Sequence, residues 1–118
     1  TVEALERFYE KTDSDKAELL VDHYAETQAL KSLMLVTCQA KDTNQPLSVL
    51  AAEIKLLGSD LAMRATSDVA HYLGPIGVRT EQGVERLMRD AKALQIVEGT
   101  NQIQRLVLTR NLQKMVQP

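Results

Sequence analysis

One short run of this sequence joins a carboxylate to a backbone that can turn sharply: Glu98-Gly99-Thr100-Asn101-Gln102. Glu98 can give or take a proton at ordinary pH. Gly99 permits backbone angles that side chains disfavour. Thr100 is a good helix N-cap. Upstream, Val84, Leu87, Met88 and Ala91 recur at helical spacing, and downstream Ile103, Leu106, Val107 and Arg110 do the same. The run therefore reads as a corner between two helices, holding one carboxylate beside the free N–H groups of a helix start. That arrangement suits an acid that reacts next to an anionic or polar cofactor. The plain alternative is a structural corner with a solvated Glu.

The rest of the chain must position that corner. The periodicity predicts four substantial helices, near 15–41, 46–73, 83–95 and 100–115. Leu20, Tyr24, Thr27, Leu30, Met34 and Cys38 form the apolar stripe of the first. Asp13, Ser14 or Asp15 can cap it. The stripe of the second is the clearest: Leu47, Leu50, Ile54, Leu57, Leu61, Ala65, Val69 and Tyr72. Pro46 suits its first turn, and Gly58 inside it suggests a close approach by another helix. Leu73-Gly74-Pro75-Ile76-Gly77 reads as its stop. Val2, Leu5 and Phe8 suggest a short further helix at the start. No segment alternates as a strand does. The expected fold is all-α: an antiparallel, up-and-down four-helix bundle with short connections, one domain over 1–118.

Composition removes several classes of function. The chain has 118 residues, 44% of them hydrophobic and 25% charged, with a net charge of −2. Its Lys and Arg are scattered among acids, so no nucleic-acid footprint is expected. No apolar run reaches membrane-spanning length, and no signal-peptide pattern occurs. Cys38 is the one cysteine; it excludes an internal disulfide and reads as a small buried hydrophobe. His23 and His71 lack companions at metal-ligand spacing, so no metal site is expected. His23 reads as a solvated or hydrogen-bonded helix residue, and Glu53, Asp60 and Asp68 as a solvated polar face. Arg89 and Asp90 are adjacent and could pair. The chain begins with Thr rather than Met, which suggests a fragment, a processed chain or a start that lies further upstream.

Arg89-Asp90-Ala91 followed by Ile96-Val97-Glu98-Gly99-Thr100-Asn101-Gln102-Ile103-Gln104-Arg105 resembles the C-terminal signature of acyl-CoA dehydrogenases. A looser likeness runs back through Leu73-Gly74-Pro75-Ile76-Gly77. The resemblance implies the C-terminal helical domain of an FAD-dependent enzyme. Such an enzyme removes hydrogen from Cα and Cβ of an acyl-CoA thioester and passes electrons to electron-transfer flavoprotein. It implies that Glu98 is the α-proton base and that the backbones of Glu98 and Gly99 meet the thioester. Thr100, Asn101 and Gln102 would face the flavin, Arg110 would lie near the substrate, and Arg89 with Asp90 would brace the bundle. His71 and Gly74 would fall in a segment that contacts the FAD of a neighbouring subunit. There His71 replaces the family's Gln and Pro75 its second Gly; Pro offers no N–H to a phosphate, while His71 can still donate.

The resemblance further implies a dimer or tetramer, located in a bacterial cytoplasm or a mitochondrial matrix and not secreted. It covers only the last domain of such enzymes, so the isolated 118 residues are expected to be inactive. Two alternatives stand beside it: a non-catalytic assembly domain or subunit, and a related acyl-CoA oxidase.

Overall fold

The computed structural model describes residues 14–116, with side chains from Glu18 onward. The short helix expected at Val2–Phe8 and the cap expected at Asp13 lie outside the described residues. Four helices follow in order: α1 Ser14–Asp42, α2 Ser48–Leu73, α3 Val84–Leu94 and α4 Asn101–Val116. Two short 3-10 turns, Gly74–Ile76 and Thr80–Gln82, join α2 to α3. The described residues are all-helical, as the periodicity predicts. Boundaries differ by one or two residues. Pro46 falls in the connection and not in the first turn of α2, whose first backbone bond runs from Ala51 N to Leu47 O (2.8 Å).

Helix α2 is the axis of the molecule, packed against α1, α3 and α4. Its pairing with α1 is antiparallel, because partner numbers fall on one helix as they rise on the other. His23 meets Asp68, Glu26 meets Arg64, and Leu30 meets Gly58. A Cβ built on Gly58 would stand 3.3 Å from Leu30 Cδ2, so the glycine does mark a close helix approach. Asn44 takes φ 55° where α1 ends, and the N–H of Gln45 closes back on the carbonyl of Ala40 at 2.8 Å.

Helices α3 and α4 lie along α2 one after the other. With 11 and 16 residues, they measure about 16 and 24 Å at the α-helical rise. Together they match the roughly 39 Å of the 26-residue α2. The end of α3 and the start of α4 therefore meet at the middle of α2, and the Glu98 corner sits there.

The buried face of α1 departs from the expected stripe. His23 and Ala40 are buried, and Thr27, Leu30, Leu33 and Thr37 are partly buried, whereas Tyr24, Met34 and Cys38 are exposed. The true face includes polar residues because the threonines satisfy themselves locally and His23 satisfies one ring nitrogen across the seam, its buried Nδ1 having no hydrogen-bond partner. Thr27 Oγ1 donates to His23 O (2.7 Å), Thr37 Oγ1 to Leu33 O (2.9 Å), and His23 Nε2 bonds Asp68 Oδ2 (3.0 Å). Satisfied polar groups can be buried at little cost. Cys38 is thus a surface thiol, and Asp68 is not simply solvated but ties α2 to α1.

The Glu26–Arg64 pair (2.6 Å) extends the same seam. The hydrogen bond from Arg64 holds the Glu26 carboxyl below its ordinary range, with His23 adding to the effect. A folded-state pKa below the unfolded one gives stability that is present above the unfolded pKa and lost as pH falls through the folded one. Both side chains are about half exposed, so the effect stays below about 1 kcal/mol. Glu26→Gln should lower the thermal midpoint slightly at pH 7, and the difference from wild type should be smaller at about pH 3, below the ordinary carboxylate range. An equal difference at both pH values would refute the assignment.

Candidate active site

Glu98 has φ 53° and Gly99 φ 90°, two successive residues in the left-handed region. For Gly99 this is ordinary; for a glutamate it is uncommon and must be held by its surroundings. The turn leaves Glu98 exposed. It borders a groove of about 220 Å³ whose other walls are Ile54, Lys55, Ser59, Leu94 and Val97. The groove offers a flat, mostly aliphatic surface beside one carboxylate.

The corner is braced from both sides. The N–H of Asn101 donates to Gln95 O across the turn (3.1 Å). Gln95 Nε2 and Asn101 Nδ2 each donate to the same oxygen, Asp60 Oδ1, at 2.7 Å. Arg105 Nη2 donates to Asp60 Oδ2 (2.8 Å). Asn101 Oδ1 in turn accepts from Lys55 Nζ (2.6 Å) and Ser59 Oγ (3.0 Å). Thr100 Oγ1 accepts from the N–H of Ile103 (3.3 Å), the expected N-cap of α4. Gln104 Nε2 reaches back to Gly99 O (3.3 Å).

Glu98, Gly99, Thr100, Asn101 and Gln102 are together at this corner. Gln102 is exposed and Thr100 partly so. Asn101 is turned the other way: at 3% exposure it is among the most buried residues, and both ends of its carboxamide are bonded inside the chain. Its N–H is likewise given to Gln95 O, so Asn101 holds the corner from inside the chain and presents neither side chain nor N–H to a ligand. Arg110 is exposed on α4, about 14 Å along the helix from Asn101. His71, exposed, and Gly74 lie at the far end of α2, about 16 Å along it from Asp60. They do not join the Glu98 site within one copy of the chain. Gly74 takes φ 58° and its N–H bonds His71 O, so this segment is also a helix stop.

Sequence reading missed Asp60, Lys55, Ser59 and Gln95. Asp60 was expected on a solvated face; instead its carboxylate is the hub of the brace, a contact set only when α2 meets the corner. Arg89 pairs with Glu85 (2.8 Å), one turn back on α3, and not with Asp90. The spacing of four residues between Glu85 and Arg89 is itself the signal for that pair. Among the described residues no three His, Cys, Asp or Glu side chains group as metal ligands, and no helix is long and apolar enough to cross a membrane.

Comparison with known proteins agrees with this geometry. Residues 13–113 match the family described as acyl-CoA dehydrogenase, C-terminal domain. The chain is 41% identical over 95 residues to the probable acyl-CoA dehydrogenase YngJ of Bacillus subtilis, covering 80% of this chain and 25% of that protein. It is 37% identical over 97 residues to cyclohexane-1-carbonyl-CoA dehydrogenase of Geobacter metallireducens, covering 82% of this chain and 26% of the relative. The solved structure of butyryl-CoA dehydrogenase from Megasphaera elsdenii superposes with a TM-score of 0.83 at 31% identity, over 95% of this chain and 31% of that one. The chain thus spans about a quarter of the length of the curated relatives it matches. With the helical fold, the Glu98 corner and these matches in agreement, the chain belongs to the acyl-CoA dehydrogenase family and corresponds to its C-terminal domain.

Proposed function

We propose that these residues form the C-terminal bundle of an FAD-dependent acyl-CoA dehydrogenase, with Glu98 as the base that removes the α-proton of the thioester. The observation that carries the reading is the exposed Glu98, held in a left-handed turn beside an aliphatic groove at the middle of α2. The backbone N–H groups of Glu98 and Gly99 would orient the thioester oxygen, and Arg110 would lie toward the rest of the substrate. The exposed polar start of α4, with Thr100 and Gln102, fits the polar edge of a flavin. Asn101 holds that start in place from inside the chain. Bound FAD would accept the β-hydrogen as a hydride, and electron-transfer flavoprotein would take the electrons onward.

His71 and Gly74 would meet the FAD of a neighbouring subunit, since they lie far from Glu98 in their own. A dimer or tetramer follows from that reading. Tyr24, Met34, Leu35 and Val36 on α1 leave an exposed apolar surface of the kind that other protein covers. Cytoplasm or mitochondrial matrix is the matching location. The relatives' names include a cyclic acyl group and a butyryl group, so this domain leaves the acyl class open.

The test is anaerobic addition of acyl-CoA thioesters to the complete flavoprotein. Loss of oxidised-flavin absorbance is expected, with return of colour on adding electron-transfer flavoprotein. Rapid return with oxygen alone would favour the oxidase. Bound flavin that no acyl-CoA bleaches, or no flavin at all, would leave the assembly domain. The 118 residues alone should neither hold FAD tightly nor turn over, because half a site must still overcome the entropy of association.

A further inference from the structure

We infer that Asp60 is a positioning residue for Glu98, acting through Gln95 and Asn101; the inference rests on the proposed role of Glu98. Glu98 occupies a backbone conformation that a glutamate adopts only under constraint. The constraint is centred on one anchor that takes both sides of the turn. Gln95, three residues before Glu98, and Asn101, three residues after it, both donate to Asp60 Oδ1 at 2.7 Å. The corner is thus tied at both shoulders to one oxygen on α2, and the Asn101 N–H to Gln95 O bond closes the loop between them.

Each remaining group fixes the anchor itself. Arg105 holds the second oxygen of Asp60. Lys55 and Ser59 hold the carbonyl end of Asn101, which leaves its NH₂ for the carboxylate. Only an amide at 101 can accept from Lys55 and Ser59 while donating to Asp60. Lys55, Ser59 and Asp60 come from one stretch of α2, so the backbone that presents Glu98 is referenced to that helix. A displacement of about 1 Å at a reacting group can lower turnover on the order of 10²-fold.

The test uses the complete flavoprotein and counts turnover per bound flavin. Asn101→Asp sets a second carboxylate against Asp60. The expected result is a fall in kcat on the order of 10²-fold, with KM for the acyl-CoA and flavin content little changed. The reciprocal exchange, Asp60→Asn with Asn101→Asp, restores a donor facing an acceptor and should recover at least part of kcat. Gln95→Met removes one shoulder bond at a partly exposed residue and should lower kcat less, while folding normally. A merely structural brace would instead lose flavin or stability at unchanged kcat per flavin. If Glu98→Gln abolishes turnover but Asn101→Asp and Gln95→Met keep kcat per flavin, or the exchange rescues nothing, positioning by Asp60 is overturned and the role of Glu98 stands. If Glu98→Gln itself keeps turnover, the functional reading fails first.

Discussion

Glu98→Gln in the complete flavoprotein should retain FAD and bind acyl-CoA while losing at least about 10²–10⁴-fold in kcat, the range a general base contributes. The α-proton of a thioester is only weakly acidic. Removing it needs a base aligned with the C–H bond and donors on the thioester oxygen, where charge develops. Gln keeps the volume and shape of Glu but cannot accept the proton. The left-handed turn that presents residue 98 depends on backbone, Gly99 and the Asp60 anchor, not on the side chain's charge, so the corner should survive the change. In this chain Glu98 is open to solvent, and bound acyl-CoA with flavin would exclude water from the reacting atoms. Stopped-flow reduction of the flavin by acyl-CoA is the direct measurement. Near-normal flavin reduction by Glu98→Gln would place the base elsewhere.

The corner was legible in the sequence because its determinants are local. A glycine, a capping threonine and two flanking helical periods specify a turn whatever else the chain does. Most of the stripe of α2 was legible for a related reason: a helix packed on three sides carries apolar residues at many positions, so a periodic pattern is hard to miss, although Leu57 and Tyr72 of that stripe stand exposed. Helix α1 was harder. Among the described residues its main packing is against α2, and its buried face includes a histidine and two threonines, which binary patterning counts as polar. The stripe therefore drifted onto Tyr24, Met34 and Cys38, which stand exposed.

The brace was illegible for a deeper reason. Asp60 lies 35 residues from Gln95 and 41 from Asn101, and its neighbours along α2 look like those of any solvated acid. Only the length match between α2 and the α3–α4 pair brings it under the corner. Asp68 and His23 make the same point across 45 residues. A polar residue in a mostly apolar stretch of helix has two readings, and the fold decides between them.

Gly77→Ala should destabilise the fold more than any other single methyl addition at a glycine of this chain. Gly77 is buried just past α2, with an ordinary φ of −64°, so backbone conformation does not require glycine there. Space does. A Cβ at 77 would sit 2.5 Å from Ala70 O, 2.9 Å from Ala70 Cα and 2.9 Å from Leu73 Cβ. Two of these atoms belong to the backbone of the last turns of α2 and cannot swing aside like a side-chain tip. The 3-10 turn Gly74–Ile76 would have to lift, disturbing the bond from Gly77 N to Gly74 O (3.0 Å). Overpacking of this kind costs about 1–3 kcal/mol, or roughly 4–8 °C in Tm per kcal/mol for a domain near this size. Gly83→Ala is the matched control: Gly83 has φ 70° but nothing within 4 Å of a built Cβ, so it carries only the conformational cost of about 1–2 kcal/mol. Thermal unfolding followed by far-UV circular dichroism separates the two. A smaller loss for Gly77→Ala than for Gly83→Ala would mean that the turn after α2 yields easily, and the packing of Gly77 against Ala70 would not be what holds it down.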